Sequence, residues 1–359
     1  MIGLQSQKQP TLIWLENLVR EDVAKVGGKN SSLGEMIQSL AGAGIRVPPG
    51  FATTSAAYRN YVTSNALDKS ISSLLLELSA DASRLTEIAA EIRRLFVSGV
   101  WSSEAAADIK RAYRELGDRV EQNNPAVAVR SSATAEDLPN ASFAGQQDTY
   151  LNVCGEDALL NACKRCFASL FTDRAITYRQ IQGFDHLEVA LSVGVQLMVR
   201  SDLGGSGVMF SLDTETGFDK IVLINAAWGL GENVVLGVVD PDEYQVYKPF
   251  LGNKKLVPIV RKALGAKVIK MIYDEKPNAT VRNVPTSRAE RAAFVLKDDE
   301  ILELARAAQA IERHYGLPMD MEWDRDGKNG PLYIVQARPE TVQSRTGSDY
   351  MRSYTLQET

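Results

Sequence analysis

Apolar residues recur along this chain with two periods, and the change from one to the other divides it into regions. Residues 1–10 are polar. A short strand is predicted around Leu12–Leu15, then a loop at Val26-Gly27-Gly28-Lys29 and a helix from about Ser31 to Ala41. The segment Val47-Pro48-Pro49-Gly50-Phe51 follows, and its prolines and glycine stop any helix. Residues 53–122 read as helical, with Ile71–Leu78 and then Leu85, Ile88, Ile92 and Leu95 at helical spacing. Asn123-Asn124-Pro125 closes that region and launches Ala126–Arg130, whose small apolar residues suit a buried strand.

From 126 to 260 the pattern shortens into apolar runs separated by glycine-rich turns. Val189–Val199, Gly207–Leu212 and Ile221–Ala227 read as strands. Asp157–Gln182, ahead of them, is helical through Leu160, Cys163, Phe167, Leu170 and Ala175. Asp298–Tyr315 predicts a helix with acidic residues at its start, one apolar face and Gly316 as its stop. Two short strands, Met319–Trp323 and Leu332–Arg338, then flank a turn. No internal repeat or low-complexity segment interrupts this order. The class is α+β or mixed α/β in at least two lobes.

Composition narrows the setting. With 359 residues, 45% hydrophobic and 24% charged, the chain can bury two or three packed units. A net charge of −5 excludes a generally basic nucleic-acid binder. Three cysteines do not make a disulfide scaffold and suit a reducing cytoplasm. No secretory signal and no run of 18 apolar residues is present, so a soluble protein without membrane partners is expected.

The closing hairpin carries the first candidate chemistry. Side chains alternate faces along a strand, so Met319, Met321 and Trp323 share one face and Asp320 and Glu322 the other. In the second strand Tyr333, Val335 and Ala337 share a face opposite Ile334, Gln336 and Arg338. Burying the apolar sets together makes Asp320, Glu322, Gln336 and Arg338 point the same way. Two carboxylates, an amide and a guanidinium suit Mg²⁺ beside a phosphate. The alternative is a solvated face with surface ion pairs.

Other motifs are weaker when taken singly. Val26-Gly27-Gly28-Lys29-Asn30 lets backbone approach a ligand and offers a lysine to a phosphate, or is a plain turn; it is not a Walker A loop. Arg130 ends an apolar strand, where open sheets place ligand contacts, or pairs with Glu136 or Asp137. Gly204–Gly207 reads as a flap over phosphates or a hairpin loop. Gly229-Leu230-Gly231 lacks the third glycine of a dinucleotide fingerprint, because Val234 stands there. Cys163 and Cys166 read as buried helix residues, and Cys154 and His186 do not complete a zinc site. Residues 245–273 hold seven basic residues and no acidic one, which makes either a phosphate-attracting field or a solvated strand face. His314 suits a helix C-terminus, and no nucleophilic triad is visible.

Together these motifs form one ordered set: VGGKNSSLGEM at 26–36, AVRSSATAEDLPNASFAGQQDTYLNV at 128–153 and SDLGGSGVMFSLDTETGF at 201–218. WGLGENVVLGVVDPDEYQVYKP at 228–249, PMDMEWDRDG from 318 and LYIVQARPET at 332–341 complete it. The set resembles the nucleotide-binding part of the phosphoenolpyruvate synthase (pyruvate, water dikinase) family from about Leu12 to Arg345. The resemblance implies an α+β, ATP-grasp fold with ATP between two lobes: 1–200, 201–342, and a tail at 343–359 leading to an absent phosphohistidine domain. It implies Lys29 and Arg130 on the phosphates, Gly145 and Thr149 against the nucleotide, and Gln196 at the adenine. Glu322 and Gln336 would bind Mg²⁺ and phosphate oxygens, with Arg338 on the phosphates. Asp320 would support them, and Glu232 is a further metal candidate; Asn225 stands where some relatives carry glutamate.

The family transfers the β,γ-phosphates of ATP to a carrier histidine on a swivelling domain, and that histidine then serves pyruvate on a barrel domain. Neither His186 nor His314 matches the carrier. The resemblance therefore implies a monomeric ATP half-site that binds Mg-ATP and does not itself make phosphoenolpyruvate. Rivals are the ATP domain of a rifampin-phosphotransferase-like enzyme and a non-catalytic ATP sensor.

Overall fold

The computed structural model describes residues 9–134, 137–138, 141–142, 148–274 and 280–341. The chain divides into two compact units: Met1–Glu35 with Pro49–Met198, and Met36–Pro48 with Val199–Thr359. The division is not a single cut near residue 200, because Met36–Pro48 joins the later residues. It falls inside helix α1 (Val23–Leu40). The predicted loop at 26–29 is a break within this helix: Gly27 alone is non-helical, at φ 74° and ψ 165°.

The first unit holds a five-stranded sheet of β1 (Leu12–Trp14), β2 (Gly50–Thr53), β3 (Val127–Ala133), β6 (Thr149–Val153) and β7 (Leu191–Leu197). Its order is β1-β2-β7-β3-β6 and every neighbouring pair is antiparallel. A two-stranded pair, β4 (Asp137–Leu138) and β5 (Ala141–Ser142), stands apart. Phe51, Val129 and Val195 are register partners across β2, β3 and β7 and face one core. Helices α2 (Ser55–Ser64), α3 (Leu67–Ala80), α4 (Leu85–Ser98), α5 (Ser103–Arg119), α6 (Glu156–Ala168) and α7 (Asp173–Gln182) contribute the rest of that core. In α4 the buried stripe is Ile88, Ala89, Ile92 and Phe96; of the spaced residues read from the sequence Ile88 and Ile92 belong to it, while Leu85 and Leu95 pack partly buried beside it. The helical reading of 157–182 splits in two, since Thr172 turns extended and caps α7 by accepting from the Ala175 amide.

The second unit is built on a six-stranded antiparallel sheet. Its strands are β8 (Gly205–Phe210), β9 (Ile221–Trp228), β10 (Asp242–Tyr247), β11 (Ile259–Ala263), β14 (Met319–Arg325) and β15 (Leu332–Pro339). The order is β11-β10-β9-β8-β14-β15. A separate ribbon pairs β12 (Ile269–Tyr273) with β13 (Val281–Pro285), and short helices α8 (Glu232–Val235) and α9 (Arg288–Ala292) lie in the connections. Helix α10 (Asp298–Tyr315) buries Ile301, Leu304, Ala305, Ala308 and Ile311, and Gly316 ends it at φ 74°. Its first turn is closed by Glu300, which accepts from the Lys297 amide at 2.7 Å. No helix among the described residues is long and apolar enough to cross a membrane.

Two local readings change. Gly205 and Gly207 are not a flap or hairpin loop but lie inside β8. A Cβ at Gly207 would run into the Asn225 carbonyl of β9, so glycine here serves close strand packing. In the closing hairpin, the pairing slips by one residue after Glu322, so that Gln336 opposes Glu322 and Ile334 opposes Trp323. The bulge at Val335 turns Ile334 onto the Trp323 face rather than the polar one, and both are buried there.

Candidate functional site

In the first unit the sheet face opposite the core gathers four of the predicted residues. Arg130 of β3 is the register partner of both Thr149 on β6 and Gly194 on β7. Gln196 pairs with Ala128, two residues from Arg130, and so shares this face; it is 3% exposed. Lys29, in the first turn after the Gly27 break, points its Nζ at the Ser131 carbonyl at 3.3 Å. The basic pair Lys29 and Arg130, a hydroxyl and a buried amide thus meet on one small surface. Gly145 lies outside the described residues, as does Glu136, one of the alternative partners of Arg130.

The turn carrying Lys29 is seated by contacts that sequence reading missed. A Cβ at Gly27 would meet the Ser132 hydroxyl and carbonyl, so only glycine allows this approach. Asn30, 2% exposed, donates from Nδ2 to the Val26 carbonyl at 3.0 Å and to Ser192 Oγ at 2.9 Å. Ser192 in turn donates to the Thr53 carbonyl at 2.6 Å. Asn30 and Ser192 stand 162 positions apart, and no local pattern joins them.

In the second unit the closing hairpin delivers the polar face read from its alternation. Asp320 opposes Arg338 and Glu322 opposes Gln336. Because β14 also pairs with β8, this face belongs to a broad sheet rather than a free ribbon. Arg338 donates from Nε to Asp320 Oδ2 at 2.8 Å, and its Nη2 lies 2.6 Å from the same oxygen. Asp320 therefore orients the arginine. Burial pushes the Asp320 carboxyl above its usual range; Arg338 pulls it down, while Glu322 and Glu340 add repulsion.

Glu322 and Gln336 offer one carboxylate and one amide oxygen side by side. These hard donors fit Mg²⁺, which takes one or two protein oxygens and completes its shell from phosphates and water. Among the described residues no group of three or more His, Cys, Asp or Glu could hold a metal ion. Glu232 opens α8, whose preceding Gly231 lies near Ser206 and Asp324; these two are register partners on β8 and β14. Asn225 is a β9 residue opposite Glu243.

The remaining candidates resolve into structural roles. The basic stretch is largely neutralised: Lys248 pairs with Glu312 at 2.6 Å, Arg261 with Glu243 at 3.4 Å, and Lys262 with Asp298 at 2.7 Å. Lys270 meets Glu290 at 2.5 Å, and Lys267 is buried against Asp242. Cys163 and Cys166 are buried free thiols, and Cys166 is pushed well above the usual range by burial. His186 accepts from Arg179 Nε at 2.9 Å, and burial lowers its pKa to about 4, helped by the Arg179 charge.

Comparison with known proteins gives the family of the chain. The family model described as "Pyruvate phosphate dikinase, AMP/ATP-binding domain" matches residues 23–358. A Synechocystis protein named phosphoenolpyruvate synthase is 51% identical over 358 residues, covering 97% of this chain and 44% of its own length. Namesakes from Pseudomonas aeruginosa and Escherichia coli are 52% and 50% identical over 350 and 352 residues, with the same coverage. This chain thus spans less than half the length of these relatives and corresponds to their ATP-binding part. With helices and antiparallel sheets in both units and matched residues that include both polar faces, the chain belongs to the pyruvate phosphate dikinase AMP/ATP-binding domain family, an α+β fold of ATP-grasp type.

Proposed function

We propose that this chain is the ATP half-site of a phosphoenolpyruvate synthase. It binds Mg-ATP and passes the β,γ-phosphates to a histidine on a separate carrier domain. The observation that carries this reading is the pairing of Glu322 with Gln336 beside the Asp320-held Arg338, within a chain of this family. Lys29 and Arg130 bind phosphates, Thr149 lies against the nucleotide, and Gln196 orients the adenine. Glu322 and Gln336 hold Mg²⁺, which when bound neutralises phosphate charge, with Asp320 and Glu232 as lesser contributors. Phosphoryl transfer depends on positioning and charge neutralisation more than on protein nucleophiles, and a set of Lys, Arg and hard oxygens meets that need. The bond between the α- and β-phosphates breaks, a nitrogen–phosphorus bond forms on the carrier histidine, and AMP leaves.

In the complete reaction, ATP, pyruvate and water give AMP, phosphoenolpyruvate and phosphate. The carrier and a pyruvate-binding barrel then lie in other domains, and this chain acts as a cytoplasmic monomeric module. The test uses ATP labelled at the β-phosphate, the purified chain and a carrier domain from one of the relatives. Acid-labile label on the carrier, dependent on Mg²⁺, with AMP released, is expected. Glu322→Ala should abolish that transfer while leaving the circular dichroism spectrum unchanged. Tight ATP binding with no label on any carrier would replace this reading with a nucleotide sensor.

A further inference from the structure

The geometry points to Asn30 as a positioning residue that acts through Lys29, an inference that rests on the phosphate role proposed for that lysine. Asn30 is buried, and both N–H groups of its side-chain amide are used within the fold. Its amide is consumed by Val26 and Ser192, and its own backbone N–H lies 3.5 Å from Ser132 Oγ. Each of these partners belongs to an element that carries or borders the site: Val26 to the turn before Lys29, Ser132 to the Arg130 strand, Ser192 to the Gly194–Gln196 strand.

Backbone shape alone does not hold this turn. Gly27 at positive φ lets the chain lie against Ser132, yet glycine is the residue least able to keep a single conformation. The Asn30 amide supplies the missing constraint by closing the turn back on Val26 and tying it to β7. Gly194 completes the fit, because a Cβ there would strike Asn30 Oδ1. The Ser192 hydroxyl passes the tie on to the Thr53 carbonyl of β2, so three strands set where Lys29 begins. Lys29 and Asn30 are adjacent, and a shift of the turn moves the ammonium away from the Arg130 strand. Positional errors of about 1 Å at such a site cost on the order of 100-fold in catalysis.

A double-mutant cycle on the purified chain tests this, with Mg-ATP affinity measured by titration calorimetry. Lys29→Met and Asn30→Ala should each weaken ATP by about tenfold, and the double variant should be little weaker than Lys29→Met alone. Ser192→Ala, which removes the hydroxyl that accepts from the Asn30 amide and donates to the Thr53 carbonyl, should reproduce part of the Asn30→Ala loss in a chain that still folds, with a somewhat lower melting temperature. Additive losses in the double variant, or full ATP affinity in a folded Asn30→Ala chain, would overturn the assignment. Should Lys29→Met itself bind ATP as the wild type does, the phosphate role of Lys29 fails first. A wild-type chain that does not bind ATP would instead sink the functional reading.

Discussion

His186 and Arg179 form a pH-sensitive pair outside the candidate site. Arg179 is fully buried, donates to the Leu170 carbonyl at 2.5 Å and lies over the Phe171 ring, so its charge is costly to leave unsatisfied. Neutral His186 answers it as an acceptor, and the folded pKa of about 4 lies below the ordinary value of 6.5. The unfolded chain therefore takes up a proton first as pH falls. The stability present above pH 6.5 is lost progressively down to about pH 4. Urea midpoints measured across this window should fall, and His186→Gln, which keeps an acceptor but cannot titrate, should flatten part of that slope. An unchanged slope in the variant would show that the histidine does not couple to folding.

Helix α10 shows how one side chain serves both its own element and the packing around it. Glu300 closes the first turn of α10 and also accepts from Arg325 Nη1 at 3.0 and 3.2 Å. Arg325 is buried on β14, and its Nη1 also donates to the Val295 carbonyl at 3.0 Å. Removing one partner of a buried pair costs about 3–5 kcal/mol, because the other charge is stranded. Glu300→Ala should therefore lower unfolding stability by about 3 kcal/mol in urea titration. Glu303→Ala, one turn away in an exposed pair with Arg46, should cost under about 1 kcal/mol. Equal losses would mean that burial of Arg325 carries no penalty. The acidic start of α10 and the Gly316 stop are legible as helix signals, whereas the Arg325 contact is not. The 25 positions between Glu300 and Arg325 close only when β14 packs against the helix.

For the chain as a whole, charge pairing replaces the reading taken from linear charge. Five of the seven basic residues in 245–273 meet carboxylates that lie outside that stretch in sequence. Lys254 and Lys255 remain, exposed in the turn before β11. With a net charge of −5, a heparin column at about 0.15 M salt should not retain the chain. Retention at that salt would restore the phosphate-attracting field. The alternation in the hairpin, by contrast, placed Asp320, Glu322, Gln336 and Arg338 on one face from sequence, and the register confirms that geometry.

Local patterns in this chain carried the helical regions, several of the strands, the α10 boundaries, the ordered motif blocks and the polar face of the closing hairpin. Each of these depends on neighbours within a turn or a strand, where period and capping chemistry act directly. Folding settled the rest: the Val335 bulge that turns Ile334 inward, the glycines of β8 pressed against β9, the joining of Met36–Pro48 to the later unit, and the Asn30–Ser192 tie. Those features depend on which distant backbone lies alongside, and side-chain hydrogen bonds and ion pairs across such separations exist only after strand order brings their partners within reach.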